Sequence, residues 1–200
     1  MENQKIFVRI AMIEDIKYVD EIIKETESSA IARGTGISKR SAITVMQKIR
    51  DGKAVIALTS TGNWAGFAYL EIWDDGNFVS NSGLIVAPAF RNLGVAKSIK
   101  NKVFELARWI CPNAKVFSIT SGNAIMNMNS QLGFKPVAFE AITQNQKFWD
   151  GCKSCVNYDI LERNKRCNCL CTAMLFDPVC AVNSVQFEKP SLRYHLSHLI

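Results

Sequence analysis

Arg91, Gly94 and Ala96 stand in an Arg-x-x-Gly-x-Ala spacing, just after Pro88 and just before a run of helical periodicity. That combination suits an anion. The first amides of a helix have no acceptors within it, and together they carry a partial positive charge of about half an electron. Small residues at Gly94 and Ala96 let a bulky anion approach those amides. Arg91 adds a charge-assisted contact, and Lys97 and Lys100 add to the field. A diphosphate fits this description. An ordinary helix start with a loop glycine fits the same six residues, so the flanking elements must decide.

Two further groups have chemical potential. In Phe67-Ala68-Tyr69-Leu70-Glu71-Ile72-Trp73, strand alternation puts Phe67, Tyr69, Glu71 and Trp73 on one face. A carboxylate among aromatics loses hydration, which raises its pKa toward that of a useful base. Glu71 then takes a proton from an amine, through water. The alternative is a solvent face with Glu71 merely exposed. The other group is sulfur. Cys152-x-x-Cys155 is followed by Cys167, Cys169 and Cys171, with Cys111 and Cys180 apart. Four thiolates around zinc make a closed structural site, and Cys152, Cys155, Cys169 and Cys171 are the preferred set. Packed free thiols and a redox switch remain alternatives, because the spacing is not that of a standard zinc ribbon.

The elements that must position these groups follow from periodicity. Residues 5–10 form a strand, and residues 14–28 a helix with Ile16, Val19, Ile22 and Ile23 inward. A basic, glycine-bearing loop over 32–40 holds Arg33, Lys39 and Arg40. Ser41 caps a second helix that stops at Gly52. Residues 54–58, 64–73 and 78–86 form three antiparallel strands with turns at Thr61-Gly62-Asn63 and Asp74-Asp75-Gly76-Asn77. A helix over 95–109 carries Val95, Ile99, Val103, Leu106 and Ile110 on one stripe. A strand over 114–120, a helix over 123–131 and a strand over 137–141 complete the pattern. The expected fold class is α/β (α+β), a mixed and largely antiparallel sheet flanked by helices. The expected organisation is a main domain over 1–145, a cysteine-rich extension packed on it over 146–181, and a tail over 182–200.

The bulk numbers bound the function. Two hundred residues with 48% apolar and 21% charged content suit one soluble domain with a small appendage. A net charge of +6 favours anionic ligands but is weak for a nucleic-acid binder. The basic residues near the cysteines (Lys153, Arg163, Lys165, Arg166) are few and lack interleaved aromatics, so nucleic acid is not an expected partner. The N-terminus has no basic stretch followed by an apolar core, and no apolar run approaches the roughly 18 residues of a membrane span. No membrane partner is expected, and the expected compartment is the cytoplasm, where cysteines stay reduced.

Val86-Ala87-Pro88-Ala89-Phe90-Arg91-Asn92-Leu93-Gly94-Val95-Ala96 resembles the coenzyme A signature of GCN5-related N-acetyltransferases, the GNAT family. Asn129-Ser130-Gln131-Leu132-Gly133-Phe134 resembles that family's second motif, and the likeness covers about residues 5–142. It implies a sheet whose central strands splay apart, acyl-CoA as co-substrate with its phosphates on the amides of residues 92–96, and a pantetheine arm beside Leu84, Ile85 and Val86. It implies the Val86 amide as oxyanion donor and Asn123 at the coenzyme. The family's tyrosine acid is replaced here by Asn129, which is left to hydrogen-bond the sulfur or a water. The segment holding Arg33, Lys39 and Arg40 lies on the acceptor side and suits a carboxylate. The whole chain, including Arg33-Gly34-Thr35-Gly36, is similar to a bacterial branch associated with arginine biosynthesis and N-acetylglutamate-synthase-like chemistry. The implied activity is acyl-CoA-dependent N-acylation of a small-molecule amine such as glutamate, with acetyl or a similar acyl group. A non-catalytic acyl-CoA sensor is the alternative. A homodimer through an exchanged tail is compatible with the sequence.

Overall fold

The computed structural model describes residues 5–33 and 40–181. Lys39, the side chain of Arg33 and the tail over 182–200 lie outside the described residues.

Among the described residues seven strands form one sheet in the order β1-β2-β3-β4-β5-β7-β6. Here β1 is Ile6–Ile10, β2 Ala54–Thr59, β3 Trp64–Trp73 and β4 Phe78–Val86. Then come β5 Lys115–Thr120, β6 Lys135–Val137 and β7 Thr172–Phe176. All pairings are antiparallel except β4 with β5. The mixed, largely antiparallel sheet expected from the sequence is therefore the observed one.

Alternation along the strands makes two cores. On one face Val55, Ala57, Ala65, Ala68, Leu70, Val79 and Val116 pack against α3, Val95–Ile110. Helix α3 contributes Val95, Ile99, Val103, Phe104, Leu106 and Ala107, nearly the stripe that its periodicity predicts. Gly66 permits the close approach: a Cβ there would lie 2.6 Å from Ile99 Cδ1 and 2.9 Å from the Ile85 carbonyl. On the other face Ala54, Ile56, Phe67 and Tyr69 pack against α1, Val19–Arg33, and α2, Ala42–Arg50. Ser41 caps α2 by accepting from the Thr44 amide at 3.1 Å. A 3-10 turn over Ile13–Tyr18 stands where the first helix was expected to begin, and α1 follows it. Its anchor is Asp15, which is buried, receives Arg9 in a two-pronged pair at 2.6 and 2.9 Å and accepts from the Met12 amide.

The cysteine-bearing segment is built into the same sheet. After α4, Asn123–Gln131, the chain forms β6 at the edge. The strand expected over 137–141 is instead β6 followed by a 3-10 turn over Phe139–Ala141. Short helices α5, Gln146–Asp150, and α6, Tyr158–Arg163, lead to β7, which inserts between β5 and β6. Phe117, Ala173 and Leu175 of β5 and β7 then bury Phe139, Ile142, Trp149 and Leu161 in a third cluster. Residues Cys167 to Cys171 precede β7 and have no strand conformation, so the shared strand face anticipated for their sulfurs does not form.

Candidate active site

The central sheet is open. Strands β4 and β5 pair only over Phe78–Ser80 and Lys115–Phe117, although β4 runs on to Val86 and β5 to Thr120. A cavity of about 390 Å³ occupies the opening. Asn81 to Ile85 line it from β4, Ser118 to Gly122 from the end of β5, Glu71 and Trp73 from β3, Lys100 from α3 and Ile125 from α4.

A bulge in β4 shapes this edge. Phe67 pairs with Ile85 but Tyr69 pairs with Ser82, so β4 holds one extra residue there. Gly83 sits in the bulge at φ +66, and a Cβ on it would lie 2.4 Å from Tyr69 Cε1. Only glycine meets both demands. Beyond the bulge the Ala87 amide donates to the Ala65 carbonyl at 3.0 Å. The neighbouring pair, Gly66 with Val86, is then of the non-bonded kind, and the Val86 N–H and C=O turn away from β3 toward the open side. The Val86 carbonyl accepts from Arg91 Nε at 3.2 Å. Leu84 and Ile85 both line the cavity.

The turn after β4 leads into α3, and none of residues 91–96 lines the cavity. A 3-10 turn over Pro88–Phe90 leads to Asn92 at φ 62 and Gly94 at φ 78, the residue before α3. Both are left-handed, which is ordinary for Gly and tolerated by Asn. Nothing lies within 4 Å of where a Gly94 Cβ would be, so the space over the first turn of α3 is open. Asn92, Leu93 and Lys97 are exposed, Val95 is buried in the core and Ala96 is half-buried. Arg91 is engaged within the protein: its NH2 donates to Glu25 Oε1 at 2.6 Å and to Ser29 Oγ at 2.8 Å. It ties α1 to the turn and also braces Val86. Asn123 is the exposed first residue of α4, beside the cavity-lining Gly122.

The remaining predicted groups divide into those inside the opening and those outside it. Glu71 lines the cavity with Tyr69 and Trp73 but is not isolated among rings, because Lys48 of α2 donates to its Oε1 at 2.7 Å. Arg40 also lines the cavity, its guanidinium 5.9 Å from the centre of the Tyr69 ring. Asn129 does not reach it. Its side chain is fully buried, Nδ2 donates to the Met174 sulfur at 3.5 Å, and Oδ1 has no partner among the described residues. Lys100, expected to strengthen the field at the turn, is turned inward and is 2% exposed.

Cys152, Cys155, Cys169 and Cys171 do converge, at the far end of the cavity beside Trp149 and Tyr158. Burial, followed by the neighbouring thiols, pushes Cys152 up to about 11 and Cys171 up to about 12. Among the described residues no group of three or more Cys, His, Asp or Glu side chains is arranged to hold a metal ion. The structure therefore does not support the expected zinc.

Three features of this opening escaped the sequence reading: the Gly83 bulge, the Lys48 partner of Glu71, and the inward Lys100. Two had signals. A glycine inside a strand pattern marks a bulge, and Lys100 falls on the Ala96, Ile99, Val103 stripe of α3. The Lys48–Glu71 pair spans 23 positions and had none.

Residues 21–123 match the model of the acetyltransferase (GNAT) family. No curated protein matches the chain. Among solved structures it is similar to N-acetylglutamate synthase from Neisseria gonorrhoeae complexed with coenzyme A and N-acetyl-glutamate, with TM-score 0.61 and 16% identity. That likeness covers 88% of this chain, and this chain spans 36% of the Neisseria chain. It is similar to Rv2747 from Mycobacterium tuberculosis in complex with CoA and NLQ, with TM-score 0.61, 17% identity, and coverage of 86% and 98% of the two chains. It is also similar to a phosphinothricin acetyltransferase from Sinorhizobium meliloti in complex with acetyl-CoA, with TM-score 0.58, 14% identity, and coverage of 86% and 88%. At these identities the likeness shows the fold alone. No helix among the described residues is long and apolar enough to cross a membrane.

Proposed function

The chain belongs to the acetyltransferase (GNAT) family, and from that premise we propose that it is an acyl-CoA-dependent N-acyltransferase whose acceptor is a small amine bearing a carboxylate, with glutamate the first candidate. The observation that carries this reading is the opening between β4 and β5, flanked by an unpaired strand edge and a left-handed glycine at the start of α3. The coenzyme diphosphate lies on the amides of residues 92–96, where helix-start donors are bare. The pantetheine arm runs beside Leu84, Ile85 and Val86 as an added strand. Arg91 supports this surface from behind through Val86, Glu25 and Ser29.

When bound, the acyl-CoA supplies a thioester carbonyl as the electrophile. The outward Val86 amide donates to the carbonyl oxygen as negative charge develops there. Glu71 receives the proton of the attacking amine through a water, and Lys48 fixes the carboxylate while it does so. Arg40, in the same cavity, suits a carboxylate on the acceptor, and the family resemblance assigns Arg33 and Lys39 to the same acceptor carboxylate. Two of the similar structures contain N-acetyl-glutamate or NLQ, which supports an acidic or related amino acid. Asn129, sealed in the core, has no role in this reading.

The test is thiol release from acetyl-CoA and from succinyl-CoA across a panel of amino acids beginning with glutamate. Saturable release with an acidic amino acid is the expected result. Release only with amines lacking a carboxylate would overturn the acceptor class. Tight acetyl-CoA binding without turnover on any amine would overturn the transferase reading and leave a sensor.

A further inference from the structure

Among the described residues Lys100 is a buried cation. It lies on the apolar stripe of α3, is 2% exposed, and still lines the cavity between β4 and β5. Its described neighbour is a ring, with Nζ 5.7 Å from the centre of Phe134. Burial alone lowers its pKa from 10.5 to about 7. The charged groups on the strands under α3 are engaged elsewhere, Arg9 of β1 by Asp15 and Glu71 of β3 by Lys48. Arg40, Tyr69, Lys147, Tyr158 and the thiols share the cavity, and none of them shifts Lys100. An ammonium so placed costs stability, because the contact found for it among the described residues is a ring and not a hydrogen-bond acceptor.

The topology explains what the cost could serve. Helix α3 covers the face of the sheet that bears Leu70 and Val79, whereas Tyr69 and Glu71 project from the opposite face. Lys100 and Glu71 therefore reach one cavity from opposite sides, which is possible only because β4 and β5 part after Ser80 and Phe117. A thioester in the gap would meet its amine from the Glu71 side and present its sulfur to the Lys100 side.

Resting on the transferase reading above, we infer that Lys100 Nζ faces the thioester sulfur and donates a proton to it as the carbon–sulfur bond breaks. The amine nitrogen bonds to the carbonyl carbon, and the carbon–sulfur electron pair moves to sulfur. The ammonium of Lys100 gives sulfur its proton, leaving a neutral amine and coenzyme A thiol. The proton lost by the attacking nitrogen goes to Glu71 and then to water, and Lys100 regains one from water. Protons and electrons balance with no further reactant. Methionine at 100 preserves side-chain length and apolar packing while removing the proton.

The deciding experiment uses free coenzyme A, so it needs no acceptor. The ultraviolet thiolate band of bound coenzyme A is titrated in the wild type, Lys100→Met and Lys100→Arg, with desulfo-coenzyme A complexes subtracted to remove the protein's own thiols. Below about pH 7, where Lys100 is charged, the wild type and Lys100→Arg should hold about a tenfold higher thiolate fraction than Lys100→Met, and above it only Lys100→Arg should keep the shift. Identical titrations in the wild type and Lys100→Met would overturn the inference. With acetyl-CoA and the best amine of the panel, Lys100→Met should lose on the order of 100-fold in kcat, while the dissociation constant for acetyl-CoA changes less than about threefold. A wild-type kcat in Lys100→Met would also overturn it. If the wild type shows the thiolate shift but turns over no amine, the transferase reading fails while the placement of Lys100 stands. Failure of the wild type to bind coenzyme A would overturn both.

Discussion

Replacing Lys100 by Met should make the protein more stable, by an amount that depends on pH in a defined direction. An unfolded lysine titrates near 10.5, and in the fold burial brings Lys100 to about 7. At 1.36 kcal/mol for each pKa unit, that drop opposes folding by about 5 kcal/mol wherever the side chain is protonated in both states, which is below about pH 7. Between about pH 7 and 10.5 the unfolded chain binds more protons than the native one, so native stability rises with pH across that window. At pH 9 the remaining cost is about 2 kcal/mol. Methionine keeps the stem and drops the charge. Lys100→Met should therefore exceed the wild type by about 4 to 5 kcal/mol at pH 6 and by about 2 kcal/mol at pH 9. Urea unfolding followed by tryptophan fluorescence at the two pH values measures both gaps, and equal m-values would license the comparison. A gap that does not change with pH would refute the reasoning, since it would mean that Lys100 titrates alike in the native and unfolded chains. A stabilised but slowed variant is the expected mark of a charge kept for activity at the expense of the fold.

The other predictions address the coenzyme edge and the base. Gly83→Ala should cost about 3 kcal/mol, combining a left-handed φ with displacement of the buried Tyr69 ring; denaturant unfolding should show it, with weakened acetyl-CoA binding. Gly94→Val should cost about 2 kcal/mol through its positive φ, but because the space is open it should fold and bind acetyl-CoA at least about tenfold more weakly by calorimetry. Glu71→Gln should slow turnover by at least about tenfold without changing acetyl-CoA affinity, and a full rate would remove Glu71 from the mechanism.

Much of this was legible in the residue order, because it rests on local rules. Strands 64–73 and 78–86 and the helix over 123–131 follow from period and turn chemistry, and the structure keeps those bounds. The left-handed turn before α3 was visible in Gly94, since a left-handed glycine before a helix is a property of adjacent residues. The long-range facts were not legible. Strand β7 inserts between β5 and β6, so the cysteine segment is part of the sheet, and no local pattern dictates which edge a strand joins. Glu71 looked like a carboxylate among rings until α2 brought Lys48 to it across 23 positions. Asn129 and Lys100 show the limit most directly. The family resemblance placed the first at the coenzyme and the helix start let the second add to the field of the turn, and packing buried Asn129 against Met174 and turned Lys100 into the gap. Sequence fixes the period of a helix, but which neighbour covers each face, and whether a buried ammonium finds a cavity, depends on elements far apart in the chain meeting at one place.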